Sequence, residues 1–155
     1  MTDFGATAYA YNYLRKTNQL GSFHGSSYIS TGLQALATLR HPDGSFNFWG
    51  ETVWMTALVV KLLEKVKEQS SFSIADSLNY LRDQQEASGG WTNYIPVSNL
   101  WSTTAALTGN VSKTAFVLLA FLENQQLTAN YKTVIANALR YIETNIDQNN
   151  NYELA

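Results

Sequence analysis

Thr7-Ala8-Tyr9-Ala10 returns as Thr56-Ala57-Leu58-Val59 and again as Thr114-Ala115-Phe116-Val117, and each copy is followed by a second apolar helical pattern ending in a polar turn. The second element recurs too: Ile29, Leu33, Leu36, Gly44 and Phe46 line up with Ile74, Leu78, Leu81, Gly89 and Trp91. A looser third copy runs through Ile135, Leu139, Ile142, Asn150 and Tyr152. Self-similarity of this kind marks a repeat architecture, in which one unit cannot bury its apolar face alone and stacks on its neighbours.

Within a unit the two elements differ in how much of their surface is apolar. Met55, Leu58, Val59, Leu62, Leu63 and Val66 leave few polar positions before Glu64, which predicts a mostly buried helix. Its partner, from Ser73 to about Glu86, carries Ile74, Leu78 and Leu81 on one face and Asp76, Arg82 and Asp83 elsewhere, which predicts a helix with one side in water. The third unit repeats the contrast: Phe116, Leu119, Ala120 and Leu122 against the narrower stripe Ile135, Leu139 and Ile142. Pro42-Asp43-Gly44-Ser45 and Ser88-Gly89-Gly90 supply residues that end a helix and turn the chain. Ser73 is placed to cap one outer helix, and Thr128 or Asn130 the last one. No run alternates for strand length. The expected fold is all-α: about three antiparallel hairpins, inner and outer helices alternating.

At 155 residues and 45% hydrophobic, the chain has apolar side chains enough for one domain or part of one. Ten Lys and Arg against twelve Asp and Glu, with no long like-charge run, leave no electrostatic footprint for nucleic acid or an anionic membrane. No apolar stretch is long enough to span a bilayer, and no basic-then-apolar leader starts at Met1. The cysteine count is zero, which removes disulfides, thiol nucleophiles and thiolate metal sites together, and His24 and His41 stand too far apart for ligand spacing. Neither a metal nor another cofactor is expected. Asn110-Val111-Ser112 is an N-glycosylation sequon on a chain that follows the secretory route.

From Leu33 to Lys61 the sequence includes Arg40-His41-Pro42-Asp43-Gly44-Ser45-Phe46, Gly50-Glu51 and Trp54-Met55-Thr56-Ala57-Leu58-Val59. It resembles the thioester-containing domain of the α2-macroglobulin and complement family, and the likeness continues through Gln84-Gln85, Gly89-Gly90-Trp91 and Lys113-Thr114-Ala115-Phe116-Val117. Phe4, Tyr9, Tyr13-Leu14 and Gln19-Leu20 fit that domain's first helix and turn, so the resemblance covers nearly the whole chain. It implies an α/α toroid, of which residues 1–155 would be about half, truncated at both ends relative to the family domain. It also implies an extracellular, secreted protein of innate defence whose partners are proteases or target surfaces.

Two departures limit what carries over. The family's reactive Cys-Gly-Glu-Gln-Asn motif precedes a methionine that aligns with Met1, so the thioester's cysteine and glutamine are absent from this sequence. The position of the family's transfer histidine is held by Asn99, with an ordinary loop residue as the alternative reading. An imidazole with pKa near neutrality accepts an acyl group and passes it to hydroxyls, whereas an amide nitrogen is neither basic nor nucleophilic. The resemblance therefore points to the amine-selective or protease-trapping branch, and no residue of this chain is assigned a catalytic role.

Trp49 and Trp101, in polar loops with Phe46, Phe48 and Tyr94, are the candidates for surface contact, packing over the helix ends being the alternative. Trp54, at the start of an inner helix, reads as packing rather than as the wall of a ligand cleft. His41, before Pro42 in a turn, reads as structural or solvated, with no acid or nucleophile nearby. Asp43, Asp76, Glu51 and Glu64 lack the paired spacing of general acid–base catalysis and read as caps and solvated faces. Three functions compete on this sequence. The leading one is a scaffold piece of a thioester-containing protein, acting by binding and not as an enzyme. The second is a non-covalent helical interaction module. The third, a terpenoid cyclase or prenyltransferase-like toroid, lacks the acidic cluster or zinc ligands its chemistry needs. The open ends of an incomplete ring predict either association with the rest of the parent toroid or self-association.

Overall fold

The structure is a computed structural model and describes residues 2–47, 52–92 and 109–146. Six long helices and one short one account for most of them: α1 (Thr2–Lys16), α2 (Ser26–Leu39), α3 (Thr52–Lys65), α4 (Ile74–Asp83), α5 (Asn110–Glu123), the four-residue α6 (Gln125–Thr128) and α7 (Lys132–Asn145). There is no strand among the described residues, only an isolated antiparallel bridge between Arg40 and Phe46. The all-α expectation is met.

Helices α1, α3 and α5 lie side by side as one layer, with α2 packed on α1, α4 on α3 and α7 on α5. The inner helices run parallel. Gly5 of α1 faces Leu62 of α3, and Tyr9, one turn on, faces Lys65. Lys65 in turn pairs with Glu123, near the end of α5. The inner and outer alternation read from hydrophobic spacing is thus the observed order.

The reason α3 is nearly apolar all round is that it serves two cores. Met55, Val59, Leu62, Leu63 and Val66 pack with Phe4, Ala8, Ile29, Leu36 and Phe46. Ala57 and Val60, on its other side, join Leu78, Leu81, Trp91, Val117, Phe121 and Ala138. A central helix with neighbours on three sides needs a wide stripe, whereas an outer helix with one covered side needs a narrow one. Close approach of α1 to α2 depends on Gly32, where an added Cβ would lie 2.2 Å from Cδ2 of the Phe4 ring.

Three local expectations are corrected. Ser73 caps α4 by accepting the Asp76 N–H, but the helix stops at Asp83 rather than near Glu86. There the Gln85 side chain leaves the helix surface and donates to the carbonyls of Gly89 and Val134. Neither Thr128 nor Asn130 caps the last helix. The N-cap position of α7 is Tyr131, without a side-chain bond, while Thr128 Oγ1 donates back to the carbonyls of Phe121 and Asn124. The side chain that caps is Asn124, which accepts from the N–H groups of Gln126 and Leu127 and opens α6. Finally, Val134 and Ala138 are the buried residues of α7, and Leu139 is 45% exposed although its counterpart Leu78 is fully buried. Leu78 belongs to a core cluster that draws on both α3 and α5, and α7 is the last outer helix of the described array.

Candidate functional site

Two turns, one after α2 and one after α4, are built alike, 45 residues apart. In the first, the Gly44 N–H donates to the His41 carbonyl and the His41 N–H to Ser45 O, at 3.0 and 2.8 Å. In the second, the Gly89 N–H donates to the Glu86 carbonyl and the Glu86 N–H to Gly90 O, at 2.8 and 3.0 Å. Gly44 and Gly89 both have positive φ, +85° and +93°, a region L side chains avoid. Each glycine also abuts the next outer helix. A Cβ on Gly44 would lie 2.6 Å from the Asp76 backbone carbon of α4, and one on Gly89 would lie 2.4 Å from the Asn137 carbonyl oxygen of α7.

After each glycine comes a buried aromatic whose backbone N–H has left the helix ladder. Phe46 N–H donates to Thr56 Oγ1 of α3 at 2.9 Å, and Trp91 N–H donates to Thr114 Oγ1 of α5 at 3.2 Å. Both threonines are completely buried. Thr114 can serve because its own hydroxyl proton goes to the Asn110 carbonyl one turn back, leaving a lone pair for Trp91. Buried backbone donors need partners, and the Thr-Ala motif near the start of α3 and of α5 supplies one to the aromatic that closes the preceding outer turn. Ser77 Oγ adds a bond to the Gly44 carbonyl at 2.7 Å, and Gln85 does the same for Gly89. The glycine-aromatic and Thr-Ala motifs, separate in sequence, are one latch.

Replacing Thr114 with valine keeps the shape and leaves the Trp91 N–H buried without a partner, so a loss of about 1–3 kcal/mol in unfolding free energy is expected. Thr56→Val should behave alike. Thr7→Val is the control, because Thr7 Oγ1 only donates to the Asp3 carbonyl at an exposed position. Denaturant unfolding of the three variants checks this, with near-equal losses at all three positions counting against the latch.

Of the candidates for surface contact, Trp49 and Trp101, with Phe48 and Tyr94, lie outside the described residues, as do Asn99 and Glu51, whereas Phe46, grouped with them, is corrected to a fully buried residue of the latch. The flanking residues are placed: Asn47 and Thr52 bound the first stretch, Thr92 and Gly109 the second. Both stretches therefore run from a latched turn to the N-terminal end of an inner helix. Asn110 is exposed and is the first residue of α5, directly after the N-cap Gly109.

The side of the inner layer turned away from the outer helices carries an aromatic and charged network. Trp54 stacks on Phe116 with centroids 5.7 Å apart and planes at 15°. Lys61 Nζ lies 4.6 Å from the centroid of the same Phe116 ring, and Lys65 Nζ lies 5.6 Å from that of Tyr9 while pairing with Glu123. Around them Tyr9, Tyr13, Leu119 and Leu122 are exposed, Leu119 at 47%. Burial holds the Lys61 ammonium below the ordinary lysine value, with Glu123 opposing and Lys65 adding to the shift. Trp54 is thus a packing residue between α3 and α5, although its indole N–H has no acceptor among the described residues.

The acidic residues are engaged as caps, turns and pairs. Asp43 accepts the Ser45 N–H at 2.9 Å, and the Ser45 hydroxyl and N–H hold its carboxyl below the usual range, helped by His41. The expectation that His41 has no acid nearby is therefore corrected: Asp43, two residues on in the same tight turn, is within its electrostatic reach. Asp76 pairs with Arg40 at 2.9 Å, and Glu64 accepts from Asn124 and Lys67. Among the described residues no group of three or more His, Asp or Glu is placed to hold a metal ion, and no helix is long and apolar enough to cross a membrane.

Parallel inner helices, each paired with an outer helix, with α3 and α5 latched to the turns before them, define an all-α array of stacked hairpins. The chain belongs to the A-macroglobulin TED domain family, whose family model matches residues 1–155. It is similar to complement C3 of Eptatretus burgeri, 28% identical over 109 residues, covering 66% of this chain and 7% of that protein. It is also similar to thioester-containing protein 1 allele S3 of Anopheles gambiae, 26% identical over 140 residues, covering 84% of this chain and 10% of that one. Ovostatin of Gallus gallus is 29% identical over 164 residues, covering 96% of this chain and 11% of ovostatin. The matched stretch is thus 7 to 11% of the length of these relatives.

Proposed function

We propose that residues 1–155 form the non-reactive helical scaffold of a secreted, thioester-containing protein of the α2-macroglobulin and complement type. In this reading the three hairpins are about half of an α/α ring, and the rest of the ring covers the side of the inner layer that carries Tyr9, Phe116, Leu119 and Leu122. The cysteine and glutamine of the thioester stand outside this stretch, which contains no cysteine. The stretch itself is not an enzyme. Its partners are the remainder of its own domain and, through the parent protein, proteases or target surfaces. The observation that carries the reading is the family match over the whole chain.

Asn99 refines the proposal. Without an imidazole to accept the acyl group, the parent thioester reacts directly with amines such as the lysines of a trapped protease. Incubating the natural protein with labelled methylamine tests both parts. Amine nitrogen attacks the thioester carbonyl, the C–S bond breaks, and a free thiol and a labelled amide result. The expected result is label outside residues 1–155, one new thiol, and glycerol incorporated far more slowly than methylamine. Absence of label and thiol, or label within residues 1–155, would count against the scaffold reading. Equal use of glycerol would count against the role given to Asn99.

A further inference from the structure

The sequon Asn110-Val111-Ser112 is not used by the scaffold reading, and its placement in the fold is specific. Asn110 is exposed at the first position of α5, and its side-chain amide makes no hydrogen bond among the described residues. A side chain there projects from the N-terminal end of an inner helix, clear of the core. The next residue is not clear of it: Val111 is only 9% exposed, and Thr114 Oγ1 holds the Asn110 carbonyl at 2.8 Å while accepting the Trp91 N–H. The sequon is therefore wound into a helix and bonded to the latch of the preceding turn.

From this we infer that Asn110 carries an N-linked glycan, added before α5 forms and held afterwards at the rim of the inner layer. The inference rests on the secretory reading above. Chemically, Asn110 Nδ2 attacks the anomeric carbon of an oligosaccharide linked to a polyprenyl diphosphate, the donor supplied by the secretory route. The sugar's C–O bond to phosphate breaks, the diphosphate lipid leaves and the amide nitrogen loses one proton. The transferase needs the Asn-x-Ser segment drawn out in an extended form, with Ser112 presented beside Asn110. In the folded chain that would require unwinding the first turn of α5, exposing Val111 and releasing Thr114, which costs free energy like any local opening of a packed helix. Acceptance is thus confined to the unfolded chain. Once α5 is wound, Asn110 still points outward, so the glycan is tolerated.

Two measurements test this. The natural protein is digested with peptide N-glycosidase in heavy-oxygen water and the peptide containing residue 110 is read by mass spectrometry, where an isotopically tagged aspartate at 110 is expected. An unmodified Asn110 in a protein recovered from the secreted fraction overturns the site while leaving the secretory reading intact. An unmodified Asn110 in a protein retained in the cytosol overturns both. For the order of events, unglycosylated full-length protein is offered to solubilised transferase and lipid-linked donor, folded or unfolded in tolerated urea, with Ser112→Ala as the blank. Modification of the unfolded protein at least about tenfold faster than the folded one is expected, and equal rates overturn the claim that folding closes the sequon.

Discussion

Gly89→Ala is expected to lower the unfolding free energy of the chain by about 3 kcal/mol, combining ~1–2 for a left-handed L residue with ~1–3 for overpacking. The two costs have separate origins and meet at one atom. At φ +93° the new methyl is strained by its own backbone, and it is aimed at the Asn137 carbonyl oxygen of α7, 2.4 Å away. That oxygen belongs to helix backbone and cannot swing aside as a flexible side chain would. The turn must lift away from α7, and the Gln85 bonds to Gly89 and Val134 are lost with it. Gly44→Ala should be comparably costly against the Asp76 backbone, whereas Gly21→Ala, with nothing within 4 Å of its added Cβ among the described residues, should be nearly neutral. A shift of the urea midpoint at unchanged slope measures the difference. Equal behaviour of Gly21 and Gly89 variants would mean that the turn does not seat on the neighbouring helix.

The second large effect is expected at Phe121. Its side chain is fully buried between two other rings, Trp91 at 5.9 Å and Tyr131 at 5.2 Å between centroids. Phe121→Ala opens a cavity where α5, the turn after α4 and the approach to α7 converge, and a loss of about 3–5 kcal/mol follows. The neighbours cannot collapse into it readily. Trp91 is held by its indole N–H to the Leu81 carbonyl at 2.8 Å, and Tyr131 by its hydroxyl to Asn79 at 3.1 Å. Leu119→Ala, two residues away on the exposed side of the same helix, should cost less than about 1 kcal/mol in the isolated chain. Thermal unfolding of the pair distinguishes a helix buried on one side from one buried all round, since comparable losses would place Leu119 in a core as well.

The contrast between Phe121 and Leu119 also marks how far the sequence could be read. Spacing placed Leu119, with Phe116, Ala120 and Leu122, in an apolar inner helix without singling out Phe121, and the repeat correctly ordered the helices into inner and outer layers. Periodicity reports which residues share a face. It does not report whether a neighbour covers that face, and at α5 and α7 the answer differs from the answer at α3. Leu139 shows the same thing: it occupies the register of Leu78 and is half exposed because the array has no further inner helix beside it among the described residues. A repeat pattern specifies the unit, and the position of the unit in the stack decides its burial.

Capping was legible where the signal is local. Ser73 and Asp76 are three residues apart and met the expectation, because an N-cap bond closes within one turn. Asn124 was missed in favour of Thr128 and Asn130, since α6 and the turn after it use several polar residues in succession and spacing alone does not rank them. The latch was half legible. Gly44 with Phe46 and Gly89 with Trp91 were aligned as equivalents, and Thr56 with Thr114 as another pair. Phe46 and Thr56 are 10 residues apart, Trp91 and Thr114 are 23 apart, so no fixed spacing joins the two motifs. Only the packing of each outer turn against the next inner helix unites them. The surface candidates Trp49 and Trp101, and Asn99, fall in the two stretches that begin just beyond those turns, outside the described residues.

The same latch gives a physical reason for the residues that the repeats share at turns and helix starts, Gly44 and Gly89, Phe46 and Trp91, and Thr56 and Thr114. Helix interiors accept any apolar residue of suitable volume. A positive φ pressed against a neighbouring backbone accepts only glycine, and a buried N–H facing a helix start is met there by a threonine hydroxyl. The scaffold thus fixes the N-terminal ends of α3 and α5 relative to the turns before them, which are the ends where the stretches containing Trp49, Asn99 and Trp101 rejoin the helices.

Hydrogen exchange at two amides tests that account most directly. Phe46 and Trp91 stand in turns that lead into connecting segments, where amides ordinarily exchange at nearly the rate of an open chain. Bonded to Thr56 and Thr114 inside the core, both should instead exchange as slowly as the helical amides of α3 and α5, and each should speed up on Thr56→Val or Thr114→Val respectively. Fast exchange at both amides in the unaltered protein would contradict the latch, and with it the proposed link between the glycine turns and the inner helices.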